Sequence, residues 1–242
     1  LLNGDNHPAV ATSYSYIGQI YFAQNDYSKA LDYFKKSLKL DLSFFGENHP
    51  SVASGYYNIG YVYFAQGDYS KALEYFEEVL KIRLSVYGEN HSRVASVYND
   101  IGEIYSVQGD DFKALDYFKK SLKIVLSVYG ENHSQVSSIY DHIGEIYFAQ
   151  KDYSKALYYF EESLKIRLSL FGENHPEVAL SYYSIGSLYI IQGDKSKALN
   201  YYEKSLKIRL SVYGENHPLT KEIMDLINVA NSKVLQSPET TK

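Results

Sequence analysis

"GENHPEVA" (residues 172–179) is one of six near-copies of a short polar phrase, and the spacing of those copies decides the fold. Its glycine recurs as Gly4, Gly46, Gly88, Gly130, Gly172 and Gly214, and its histidine as His7, His49, His91, His133, His175 and His217. Every step between neighbours is 42 residues. A fixed period of this size marks a repeat array, and it overrides the one or two globular domains that 242 residues would otherwise suggest.

The stretch from Gly46 to Gly88 shows what one period holds. Gly46 can take positive φ and close a helix, Asn48-His49 offers a cap, and Pro50 suits a first helical position, where no N–H partner is needed. Val52, Tyr56, Ile59, Val62 and Tyr63 then fall at helical spacing. Gly67-Asp68 breaks that helix, and Asp68 can cap a second one whose buried side holds Ala72, Leu73, Phe76, Leu80 and Leu84. Glu77 and Lys81 sit four apart on its outer face, a favourable pair. Each period is therefore two antiparallel helices of roughly 17–19 residues, about 26–28 Å long. Such a hairpin buries too little to stand alone, so it must stack on its neighbours. The polar phrase is the stop, turn and start between hairpins.

Composition narrows the function. Apolar residues make up 45%, with no run long enough to span a bilayer. A net charge of −5 argues against a nucleic-acid-binding face, and the absence of cysteine excludes thiol catalysis and zinc fingers. It also fits a reducing compartment, so a cytoplasmic location is expected, with no secretory leader, membrane or nucleic-acid partner. Nucleophile-elbow, phosphate-loop and HExxH patterns are missing. No catalytic, cofactor-binding or metal-binding residues are expected.

Tyr14, Ile17, Gly18, Tyr21, Ala30 and Phe34 have the spacing of the tetratricopeptide repeat, and the chain resembles that family along essentially its whole length. The set returns as Tyr56, Ile59, Gly60, Tyr63, Ala72, Phe76 and as Tyr182, Ile185, Gly186, Tyr189, Ala198, Tyr202. Tyr stands for the usual first Trp, and Ser37, Ser121, Ser163 and Ser205 stand where the family mostly has Ala. The 42-residue period and the "HPxVA" entry resemble the kinesin-light-chain subclass. The resemblance implies an all-α, right-handed superhelix of helix pairs. The expected divisions are the tail of an upstream repeat at 1–7, repeats at 8–45, 46–87, 88–129, 130–171 and 172–213, a capping helix at 214–235 and a disordered tail at 236–242. Loss of the upstream repeat would leave apolar surface at the N-terminal end, and a second copy can cover it by self-association.

In this family the first helix of each pair lines a concave face where partners bind. The inward positions carried over by register are Ser15, Tyr16 and Gln19; Tyr57, Asn58 and Tyr61; Asn99, Asp100 and Glu103; Asp141, His142 and Glu145; Tyr183, Ser184 and Ser187. These positions differ most between repeats, while the packing positions scarcely change. Asp100, Glu103, Asp141 and Glu145 would focus negative potential, the tyrosines offer faces for cations and apolar groups, and Asn58 and Asn99 can bond an extended backbone. The expected function is a non-catalytic adaptor or scaffold, binding a peptide with basic and apolar residues. Kinesin light chains take cargo with a Trp flanked by acids, a preference that these carboxylates do not match. The alternative is the regulatory sensor array of a larger signalling ATPase or protease. The loop histidines lie too far apart to share an ion, since packed helices sit roughly 10 Å apart and Zn–N bonds need about 2 Å. His142, beside Asp141 and Glu145, is the one candidate for an enzyme or metal site, and is otherwise expected to titrate and make the face pH-sensitive.

Overall fold

The computed structural model describes residues 8–232, which form eleven α-helices. In order they are α1 (Pro8–Ala23), α2 (Tyr27–Phe45), α3 (Pro50–Ala65), α4 (Tyr69–Tyr87), α5 (Ser92–Val107), α6 (Asp111–Tyr129), α7 (Ser134–Ala149), α8 (Tyr153–Phe171), α9 (Pro176–Gln192), α10 (Lys195–Tyr213) and α11 (Pro218–Ser232). The molecule is an all-α solenoid of sequential antiparallel pairs. The expected upstream-repeat tail at 1–7 and the expected loose tail at 236–242 lie outside the described residues.

Local chemistry sets each helix end. Asp68 precedes α4 and its Oδ1 accepts the Lys71 N–H at 3.3 Å; Asp152 does the same for Lys155 before α8, at 3.2 Å. At the other end of the second helices Gly46 and Gly172, at φ +73 and +75, donate back to the carbonyls of Leu42 and Leu168. The repeated histidine is the cap of the following helix. Nδ1 of His49, His91, His133, His175 and His217 accepts the N–H two residues on, at 3.1–3.2 Å. Each ring also stacks on the last aromatic of the preceding helix, as His133 does on Tyr129 at 4.1 Å between centroids. This cap explains why α5 and α7 start in register although Ser92 and Ser134 replace the proline found in α3 and α9.

Two compact units divide the chain, Leu1–Val128 and Tyr129–Lys242. In the first, Ala30, Phe34, Ile59, Val62, Ala72, Phe76 and Ile101 belong to one buried cluster. In the second, Ala156, Phe160, Ile185, Leu188 and Ala198 do the same work. The glycine of each first helix lets a ring of its partner press on the backbone: a Cβ on Gly144 would meet Phe160 at 2.7 Å, and one on Gly186 would meet Tyr202 at 2.7 Å. The serines that replace alanine in the second helices add a tie. Ser37, Ser121 and Ser205 donate to the carbonyls of Ala11, Ala95 and Ala179 at 2.7–2.8 Å, locking those three pairs, whereas the buried Ser163 Oγ makes no such bond. One expected pair changes: Lys81 lies 3.7 Å from Glu78 rather than pairing with Glu77, because i,i+3 and i,i+4 neighbours compete on a helix face. Among the described residues no helix is long and apolar enough to cross a membrane.

Candidate functional site

The first helices bring their divergent side chains to one side in each unit. In the first unit Tyr16 is 63% exposed, and Gln19 beside it is also exposed. Asn58 is half-buried and its Nδ2 donates to Ser15 Oγ at 3.3 Å, linking α3 to α1. Tyr57 and Tyr61 lie 5.2 Å apart, each edge-on to the Phe76 ring. Gln19, Phe22, Phe34, Tyr57, Asn58 and Tyr61 enclose a mostly apolar hollow of about 200 Å³.

Farther along the same unit the carboxylates are less exposed than their positions suggest. Asp100 on α5 is only 9% exposed, it lies near the Tyr57 phenol, and its Oδ2 has no hydrogen-bond partner. Burial first, and the nearby Glu103 second, raise its pKa to about 7. Glu103 is raised too, by burial, although Asn99 Nδ2 donates to its Oε1 at 2.6 Å. The same burial, with Asp100 close by, pushes the Tyr57 phenol far up.

In the second unit Asp141 faces an arginine. Arg167 of α8 places Nη2 2.7 Å from Asp141 Oδ2 and 2.9 Å from Glu177 Oε2, and its Nη1 donates to Ser181 Oγ at 2.8 Å. Burial still leaves the Asp141 carboxyl raised, against the pull of Arg167. His142 beside it is held below the ordinary imidazole range, by burial first and by Arg167 second. The expected pH-responsive histidine is thus pushed away from protonation, while Asp100 is raised to about 7. Glu145 is exposed. Tyr183 donates its hydroxyl to Glu222 Oε1 at 3.1 Å, Ser184 is half-buried, and Ser187 Oγ bonds the Tyr183 carbonyl at 3.0 Å. Among the described residues no three His, Cys, Asp or Glu side chains gather as a metal site would require.

Buried arginines on the second helices underlie this face, a contribution that helical register alone does not reveal. Arg83 donates to the Arg93 carbonyl at 2.8 Å and to Ser96 Oγ at 3.0 Å, with its guanidinium 5.0 Å from the Tyr57 ring centroid. Arg209 donates to the Leu219 carbonyl at 2.6 Å and lies 5.0 Å from the Tyr183 ring. Both are buried, and each reaches from one repeat to the first turn of the next. The signal was present, since the column Asp41, Arg83, Val125, Arg167, Arg209 changes in charge while the columns on either side stay aliphatic.

Comparison with known proteins agrees with this architecture. The chain is similar to BtubC (BKLC) from P. vanneervenii, with 24% identity, TM-score 0.76, and coverage of 87% of this chain and 84% of that one. It is also similar to a putative kinesin light chain from Podosopora anserina with nearly identical TPR-like repeats, at 17% identity, TM-score 0.71 and coverage of 86% and 98%. RapI in its apo form matches at 18% identity, TM-score 0.72 and coverage of 93% and 84%. At these identities the likeness speaks for the fold. No curated protein matches the chain. The tetratricopeptide repeat profile matches residues 1–43, 38–85, 51–127, 93–169 and 135–211, and no catalytic domain is evident, so the chain belongs to the tetratricopeptide repeat family.

Proposed function

We propose that this protein is a non-catalytic interaction module, an adaptor or scaffold that binds a peptide segment in a partly acidic, tyrosine-lined groove on its first helices. The family is generally a protein-interaction fold, and this reading adds the chemistry of the face. The observation that carries it is the contrast between columns. Gly18, Gly60, Gly102, Gly144 and Gly186 are invariant at a packing position, whereas Ser15, Tyr57, Asn99, Asp141 and Tyr183 change with every repeat but one pairing. Packing requires the first column to be constant and places no such demand on the second.

In the first unit Tyr16, Gln19, Tyr57, Asn58, Tyr61, Asn99, Asp100 and Glu103 would serve the ligand, and in the second Asp141, His142, Glu145, Tyr183, Ser184 and Ser187. Arg167 already pairs with Asp141 in the second unit. Tyrosine faces and amides favour an extended segment that alternates apolar and polar side chains. The partner is a protein or peptide carrying lysine or arginine next to an apolar residue.

A peptide array probed with the intact chain tests this. Basic-apolar peptides are expected to be retained above acidic ones, with retention falling when Asp100, Glu103, Asp141 and Glu145 are changed together to Asn and Gln. Preferential retention of acidic peptides would reject the reading.

A further inference from the structure

The first unit holds a second hollow, of about 240 Å³ and polar, lined by Ser15, Gln19, Asp41, Ser51, Ser54 and Gly55 among others. Its position in the repeat gives it meaning. Asp41 occupies the column filled by Arg83, Arg167 and Arg209. Ser51 matches Arg93 and Leu219, whose carbonyls accept from Arg83 and Arg209, while Ser54 matches Ser96 and Glu222. Ser15 matches Tyr57 and Tyr183, the rings on which those guanidinium groups lie.

In three other repeats, then, this place is occupied by the chain's own guanidinium. Here the arginine is replaced by a carboxylate and the aromatic floor by a serine, which leaves open space with reversed charge. Asp41 is half-buried, and among the described residues no lysine or arginine lies within ion-pair distance of it. Burial raises its pKa, and His49 alone offers a modest opposing pull. A partly dehydrated carboxylate without a cation is a costly arrangement that an arriving cation relieves.

The apolar hollow formed by Phe22, Phe34 and Tyr61 adjoins this cavity, since Gln19 lines both. We infer that the Asp41 cavity receives the cationic side chain of a lysine or arginine on a peptide partner, and that the apolar neighbour of that residue fills the Phe22–Phe34–Tyr61 hollow. The inference rests on the peptide-binding reading and gives it an anchor outside the four carboxylates expected to carry it. The incoming group takes in trans the kind of first-turn carbonyl and hydroxyl contacts that Arg83 makes in cis, here offered by α3, and Asp41 adds a carboxylate that Arg83 does not have.

The test is an amide chemical-shift titration of the full chain with the hexapeptide Ac-Ser-Gly-Arg-Leu-Gly-Ser-NH2 and its Glu-Leu analogue. The Arg-Leu peptide is expected to move the amides of Ser15, Gln19, Ser51 and Ser54 saturably, and the Glu-Leu peptide to leave them in place. Asp41→Asn is expected to weaken Arg-Leu binding about tenfold, the usual worth of one charge-assisted contact. Asp41→Arg is expected to abolish it while leaving the thermal midpoint equal or higher, because the new guanidinium fills the cavity from within. Equal binding by the parent and Asp41→Asn would overturn the anchor and leave the groove reading standing. Binding of the Arg-Leu peptide no tighter than that of its Glu-Leu analogue would overturn the anchor and, with it, the basic preference of the groove.

Discussion

Asp100 shows how far a single position can move from the chemistry its letter suggests. By register it belongs to a solvated face, but Tyr57 from the preceding repeat covers it, and its carboxyl rises from an ordinary 3.8 to about 7. At about pH 3, well below the ordinary value of 3.8, the group is largely protonated in both folded and unfolded chains and costs almost nothing. As pH climbs from there towards about 7, the unfolded chain releases the proton before the folded one does, so stability declines, and the full cost is present above that range. Asp100→Asn is expected to stabilise the protein at about pH 8 by on the order of 1–3 kcal/mol and to be nearly neutral at about pH 3. Urea unfolding of parent and variant at the two pH values measures this. A stability gap that persists unchanged in acid would contradict the assigned cause.

At the scale of the helix pair, the aromatic-to-glycine contact governs how closely two helices approach. A Cβ at Gly144 would sit 2.7 and 2.8 Å from the buried Phe160 ring, whereas at Gly60 the nearest atom is Tyr75 Cβ at 3.2 Å. Gly144→Ala is therefore expected to cost about 1–3 kcal/mol by overpacking, and Gly60→Ala clearly less, the helix propensity of alanine offsetting part of the strain. Thermal or urea melts of the two variants give the order, and equal losses would show that ring pressure is not the constraint. This level of the structure was the most legible in the sequence, because its signals are local. Asp68 caps three residues ahead, His49 caps two residues ahead, and the small-aromatic pairing repeats at fixed offsets. What stayed hidden depends on long side chains crossing between repeats. Arg83 finds its acceptor ten residues on, in the next hairpin, and Asp100 is covered by a tyrosine of the preceding one. Neither geometry follows from a helical register, which gives a side chain's starting point and not its reach.

At the scale of the array, the substantial helix contacts within each unit, among the described residues, join sequence neighbours: α1 with α2, α2 with α3, α3 with α4, α4 with α5, and α7 through α11 in the same succession. Stability in such an array comes from nearest-neighbour interfaces, so no helix pair holds its own core. That arrangement makes the packing columns strict and frees the exposed columns to diversify, and the proposed ligand face depends on it. The most direct measurement is the helical circular dichroism of a synthetic 42-residue unit, residues 172–213, beside that of the full chain at equal residue concentration. The account predicts a spectrum with little helix from the isolated unit in plain buffer and a strongly helical, cooperatively melting full chain. A sharp, reversible thermal transition from the single unit would contradict it.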